Sequence, residues 1–131
     1  MIVHASRLFD SRASELGPLD VTRKSGKEGL IWAPSWKILK PGLKAFKQAA
    51  TAEQRDHAFA DYAAAYRNEL ARSWVARHDE WARLLQGEHL TLQCYCVEWQ
   101  YCHRTLLGRD ILPGACRRLG IGYEFAGELI K

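Results

Sequence analysis

Hydrophobic positions follow two different periods along the chain, and the change of period separates strands from helices. Apolar and polar residues alternate over residues 89–96, the period of a half-buried strand, which puts four side chains on one face: Leu90, Leu92, Cys94 and Cys96. Shorter apolar runs predict a first strand over residues 2–6 and a last strand over residues 121–125. Residues 19–22 are a weaker candidate for another short strand.

Helical spacing of apolar residues dominates the middle of the chain. Thr51 and Gln54 have the spacing of a capping box, so a helix is expected to begin there. Gly87 is a suitable C-terminal stop for it. Between these points run two apolar stripes at helical spacing, formed by Phe59, Tyr62, Tyr66 and Leu70 and then by Trp74, His78, Trp81 and Leu85.

Two further helices flank this central one. Residues 35–49 predict a short helix that Pro41-Gly42 is expected to interrupt, because proline lacks the backbone donor. Residues 102–112 predict another helix, which Pro113-Gly114 bends or restarts. Strands that alternate with helices indicate an α/β domain with a mainly parallel sheet covered by helices. Residues 7–34 are expected to form a long irregular loop region.

Composition describes an ordinary globular chain with a mild positive charge. The 131 residues suffice for a single domain, and 47% hydrophobic with 26% charged residues excludes wholesale disorder. The net charge of +4 is compatible with an anionic partner. No apolar run reaches the length of a membrane helix, and the first residues do not resemble a secretory signal. A cytoplasmic protein with reduced thiols and no membrane partner is expected.

The strongest chemical signal lies where the strand over residues 89–96 leads into the next helix. In α/β sheets, ligands bind beyond the carboxyl ends of strands, and a helix N-terminus attracts anions. Arg104 is therefore expected to clamp a phosphate or carboxylate. His103 is the candidate general acid/base, and Cys102 or Cys94 the candidate nucleophile. The position at a helix N-terminus also predicts a lowered pKa for the Cys102 thiol.

The same residues form an alternative metal site. Cys94, Cys96, Cys102 and His103 are a legitimate zinc ligand set. A metal-free site is favoured, because Cys102 and His103 would point about 100° apart if both lay on a helix. No cofactor is therefore predicted, and zinc is the alternative.

Other residues could extend a binding site around this junction. Arg23, Lys24 and Ser25 lie in a basic loop that could bind phosphate. Trp99 and Tyr101 could stack on a nucleobase, or they could serve as lids on the core.

Several segments together resemble the domain-of-unknown-function 488 family. The most specific is Cys102-His103-Arg104, eight residues after Leu92-x-Cys94 and followed by Leu106-Leu107. The segments 20–26 and 33–36 look like those of short members of that family. The resemblance implies a single three-layer Rossmann-like α/β domain over residues 1–131, with helices on both faces, from a bacterial or phage cytoplasm. The family has no settled activity, so the resemblance adds no function.

Three functional hypotheses follow from these residues. The leading one is a small protein that binds a nucleotide or another phosphorylated or anionic ligand at the Cys-His-Arg junction. Whether it is also an enzyme of nucleotide or nucleic-acid metabolism is left open. One alternative is a non-catalytic nucleic-acid-binding module, in which Trp99 or Tyr101 stacks on a base and the phosphates are bound by four basic residues, Arg23, Lys24, Lys27 and Arg104. The other is a zinc-stabilised interaction domain.

Overall fold

A four-stranded, all-parallel sheet organises the chain in a computed structural model that describes residues 1–129. The strand order is β2-β3-β1-β4, with β1 and β3 paired along their full lengths. This arrangement confirms the α/β class and the parallel sheet, while the three-layer arrangement stays a prediction. The strands are β1 (Ile2–Arg7), β2 (Pro18–Asp20), β3 (His89–Cys94) and β4 (Glu124–Glu128).

Four α-helices and several tight turns connect these strands. The helices are α1 (Trp36–Gln48), α2 (Ala52–Leu84), α3 (His103–Leu106) and α4 (Leu112–Leu119). A π-helical turn, Leu107–Ile111, joins α3 to α4. The segment predicted as an irregular loop contains β2 and two 3₁₀ turns, Ser11–Ala13 and Glu28–Trp32. Within residues 1–129, no helix has the length and apolar character needed to cross a membrane.

Helix α2 begins as the sequence predicts and bends near its end. The Thr51 Oγ1 atom accepts a hydrogen bond from the Gln54 backbone N–H at 3.1 Å, and the Gln54 Oε1 atom accepts one from the Thr51 backbone N–H at 3.2 Å. Non-helical torsions at Arg77 (φ −138°, ψ 30°) kink the helix. The expected inward position of His78 is wrong: its side chain is 58% exposed, because the kink rotates the helix faces after Arg77.

The structure differs from the sequence prediction at α1 and at the last strand, in each case for a local reason. Helix α1 runs through Pro41 without interruption, since its packing on α2 outweighs one missing donor. Gly42 permits that packing, because a Cβ atom there would collide with the Tyr62 ring. The last strand begins at Glu124 instead of residue 121, because α4 ends in a left-handed Gly120 (φ 70°) and the following residues complete the turn.

Candidate functional site

The carboxyl end of β3 opens into a loop that returns to α3. Cys94 is the last residue of β3, and the loop contains a 3₁₀ turn, Trp99–Tyr101. Cys102 caps α3 with extended torsions (φ −117°, ψ 145°), and His103 is its first helical residue. This is the edge of a parallel sheet at which ligands generally bind.

Three thiols from this segment converge. The sulfur atoms of Cys94, Cys96 and Cys102 all lie within 4.8 Å of one another, and those of Cys94 and Cys96 are 3.8 Å apart. All three cysteines are free. Cys94 and Cys102 are buried, whereas Cys96 is half-buried. A group of thiols with this spacing could hold a metal ion.

His103 adds an imidazole to the same cluster. Its Nδ1 atom lies 3.8 Å from the Cys102 sulfur and 4.0 Å from the Cys94 sulfur. Its Nε2 atom lies 2.7 Å from the carbonyl oxygen of Val21. The expectation that Cys102 and His103 point apart is wrong, because Cys102 is an extended cap residue and not part of the helix. We call Cys94, Cys96, Cys102 and His103 the cysteine–histidine cluster.

Arg104 is buried beside this cluster and bound to other parts of the protein. Its guanidinium forms a two-pronged pair with Glu128, at 3.1 and 2.7 Å. It also donates to the Cys96 carbonyl at 2.9 Å and to the Cys102 sulfur at 3.4 Å. These contacts fix the loop against β4. The anion-clamp role of Arg104 stays a prediction, and an anion would have to compete with the Glu128 carboxylate.

The surroundings shift the pKa values of the cluster residues in different directions. Hydrogen bonds from Cys102 and Cys96, followed by His103, hold the pKa of Cys94 well below its ordinary value. Burial raises the pKa of Cys102 to about 12, so the predicted lowering is wrong in direction. Burial alone would lower the pKa of His103, but the hydrogen bond and charge of Cys94 raise it overall. Without a metal, the cluster therefore favours negative charge on Cys94 over the other two thiols, and the same charge raises the pKa of the neighbouring imidazole.

The cysteine–histidine cluster lines a cavity of about 500 Å³. The cavity lies between the β3–α3 loop, α1 and α2. Buried cluster residues mark its inner end, and the more exposed Trp36 and Val97 mark its mouth. Arg23, Lys24 and Glu98 also line it. Its aromatic lining consists of Trp36, Phe46, Phe59, Tyr62, Tyr95 and Tyr101.

The basic loop reaches this cavity only in part. Arg23 lines the cavity, but its guanidinium donates to the carbonyl oxygens of Ala33 and Pro34. Lys24 lines the cavity as well. Ser25 does not; its hydroxyl joins a network with the Asp20 carboxylate, and it accepts a hydrogen bond from Tyr95 at 2.8 Å.

Of the two residues predicted to stack on a nucleobase, one lines the cavity and the other does not. Tyr101 lines the cavity, donates to Asp56 at 2.7 Å, and packs its ring 4.9 Å from that of Phe46. Trp99 does not line the cavity, and its carbonyl oxygen accepts a hydrogen bond from Thr105 at 2.6 Å.

The sequence did not predict that residues of α1 and α2 form walls of the cavity. Helical spacing identified Phe59 and Tyr62 as one apolar stripe, but it could not show that this part of the stripe faces a cavity.

Fold and site together define an α/β protein with a cysteine-lined cavity at the carboxyl edge of a parallel sheet. The chain belongs to the DUF488-N3a family, whose model, described as the active DUF488-N3 subclade, matches residues 7–114. The match includes the whole cysteine–histidine cluster and confirms the resemblance seen in the sequence. Comparison with the curated proteins and with the solved structures found no match to the chain.

Proposed function

We propose that this protein binds a small anionic molecule with an aromatic portion, of the nucleotide type, in the cavity beside the cysteine–histidine cluster. One observation carries the proposal: buried Cys94, Cys102 and His103 line the inner end of a cavity of about 500 Å³. A cavity beside groups that bind metals or move protons is a typical ligand site.

The lining of the cavity supports an aromatic ligand. Its volume lies within the roughly 300–1,000 Å³ typical of small-molecule pockets. Rings from α1, α2 and the β3–α3 loop surround it, among them Phe59, Tyr62 and Tyr101. A planar base could pack on such rings, since aromatic pairs gain interaction energy in addition to that of the apolar area they bury.

The charged residues at the cavity favour an anion. Arg23 and Lys24 line it together with a single carboxylate, Glu98. Both hydrogen-bond partners recorded for the Arg23 guanidinium are carbonyl oxygens, which leave its positive charge unneutralised. A phosphate near Arg23 and Lys24 would therefore meet a net positive field.

The lining of the cavity favours a small molecule over a nucleic-acid strand. The cavity is bounded by elements from three parts of the chain, and Trp99, a stacking residue of the nucleic-acid hypothesis, lies outside its lining. A strand would instead need an open groove with successive stacking rings. Binding of an oligonucleotide with no binding of mononucleotides would reverse this choice.

Calorimetric titration with nucleoside monophosphates, nucleosides and inorganic phosphate tests the proposal. At least one nucleoside monophosphate should bind more tightly than its nucleoside and than phosphate alone. Ala58→Trp, which fills the cavity, should abolish binding, while Ala60→Trp on an exposed position of the same helix should not. Lys24→Ala should weaken binding, and Lys44→Ala should not. Equal binding by Ala58→Trp and wild type would overturn the assignment.

A further inference from the structure

Four potential ligand atoms meet at the inner end of the cavity. They are the sulfur atoms of Cys94, Cys96 and Cys102 and the Nδ1 atom of His103. We propose that these four atoms bind one Zn²⁺ ion. The inference goes beyond the proposed function, because a metal at this position does not depend on which molecule fills the cavity.

The spacing of the atoms is close to that of a tetrahedral zinc site. Zinc–sulfur bonds of about 2.3 Å set the sulfur atoms of a tetrahedron about 3.8 Å apart. The Cys94 and Cys96 sulfurs are 3.8 Å apart, and His103 Nδ1 is 3.8 and 4.0 Å from two sulfurs. The remaining sulfur pairs lie within 4.8 Å, so small side-chain rotations bring the three sulfurs around one ion, with His103 Nδ1 beside two of them.

The orientation of His103 supports coordination through Nδ1. A carbonyl oxygen only accepts hydrogen bonds, so the contact from His103 Nε2 to Val21 at 2.7 Å places a hydrogen on Nε2. In the neutral ring, the Nδ1 lone pair then faces the sulfurs. Metal-ligating histidines generally donate a hydrogen bond from their other ring nitrogen in this way, and that bond fixes the tautomer and the ring orientation.

A second contact supports the thiolates. Arg104 donates to the Cys102 sulfur at 3.4 Å and to the Cys96 carbonyl at 2.9 Å. Glu128 holds the guanidinium in place from the other side. Such a donor stabilises negative charge on a metal-bound sulfur and keeps the ligand loop in position.

Simple packing does not explain this convergence. Cys116 shows what a packing cysteine looks like here: it is fully buried within the apolar core among residues such as Leu112. The cluster thiols instead lie close to one another, two of them face an imidazole nitrogen, and all three lie outside that core group. Three sulfurs and one nitrogen are a ligand set that suits zinc. Four protein ligands close the coordination sphere, so the ion would tie β3, the loop and α3 together.

Cobalt titration of the full chain, prepared metal-free under a reductant, tests the proposal. Co²⁺ reports thiolate ligands by a sulfur-to-metal charge-transfer band and tetrahedral geometry by its visible bands. Wild type and Cys116→Ser should both saturate at one equivalent with these bands, and Zn²⁺ should displace the cobalt. Cys96→Ser should lose part of the charge-transfer band and bind at least about tenfold more weakly. Because Cys96 is half-buried, this variant should stay folded, as circular dichroism would verify.

The His103→Gln variant distinguishes a metal site with four protein ligands from a site with three. It should keep the thiolate band, change the visible bands and lower the affinity. Visible bands identical to those of wild type would remove His103 from the site. Wild-type protein without a thiolate band, or identical titrations of Cys96→Ser and Cys116→Ser, would overturn the zinc proposal. Nucleotide binding by such a metal-free protein would leave the proposed function standing, so the two claims fail separately.

Discussion

The imidazole of His103 donates from Nε2 to the carbonyl oxygen of Val21 across 2.7 Å. This contact joins the first turn of α3 to the residue that follows β2, over 82 positions of sequence. Val21 is itself held to β3, since its backbone donates to Gln93 at 3.0 Å. The orientation of the candidate functional histidine is thus set by the sheet, and its other ring nitrogen is left facing the thiols.

Removing Glu128 should destabilise the fold strongly. Glu128 and Arg104 are 6% and 0% exposed, and a buried guanidinium without its carboxylate costs roughly 3–5 kcal/mol. Glu128→Ala should therefore lower the free energy of unfolding by about 3 kcal/mol, measured by urea denaturation. Glu124→Ala, at an exposed position of the same strand, is the control. Equal midpoints for the two variants would show that the ion pair contributes no stability.

The π-helical turn should not tolerate a side chain at Gly108. A Cβ atom there would collide with the ring of Phe125 on β4. Gly108→Ala should cost about 1–3 kcal/mol, as overpacked core sites do, measured by thermal or urea unfolding. Gly122→Ala is the matched control, because its Cβ atom would meet nothing within 4 Å. If both variants unfold alike, the π-helical turn does not pack closely on Phe125 of β4.

Zinc should change which cysteines react with iodoacetamide. In metal-free protein, the cluster thiols should be alkylated before the fully buried Cys116, which should react only on unfolding. One equivalent of Zn²⁺ should protect Cys94, Cys96 and Cys102 together, and a chelator should reverse this. Peptide mass mapping reads out each site. Unchanged alkylation of Cys96 after zinc addition would contradict a shared ion.

Removing the metal should also lower the melting temperature. A ligand that binds only the folded state stabilises it by an amount that grows with the logarithm of its affinity, and zinc here joins β3, the β3–α3 loop and α3. Chelator treatment under a reductant should lower the melting temperature of wild type and of Cys116→Ser, but scarcely that of Cys96→Ser. A drop of the same size in all three proteins would mean that the metal acts elsewhere.

Local patterns predicted much of the fold. Alternation over residues 89–96 marked β3, and Thr51 with Gln54 marked the start of α2. Local rules failed where distant packing decides the outcome. Pro41 stays inside α1 because Gly42 lets α1 approach Tyr62. His78 turns outward because of a kink at Arg77 that the apolar spacing did not reveal.

The sequence predicted which residues form the candidate site better than it predicted how they are arranged. Cys94, Cys102 and His103 were identified from their position between a strand and a helix. The expectation that Cys102 and His103 diverge failed because it assumed helical torsions at Cys102, whose backbone is extended. Glu128, the partner of Arg104, lies 24 residues further along the chain, and no local pattern connects the two. The cavity walls likewise required the packing of α1 against α2.

An anomalous difference map above the zinc absorption edge tests the central claim most directly. The crystals would be of zinc-loaded protein purified under a reductant. We expect one strong peak at the inner end of the cavity, within bonding distance of the sulfurs of Cys94, Cys96 and Cys102 and of Nδ1 of His103. A map with no peak there, or with these sulfurs apart and His103 turned away from them, would contradict that claim.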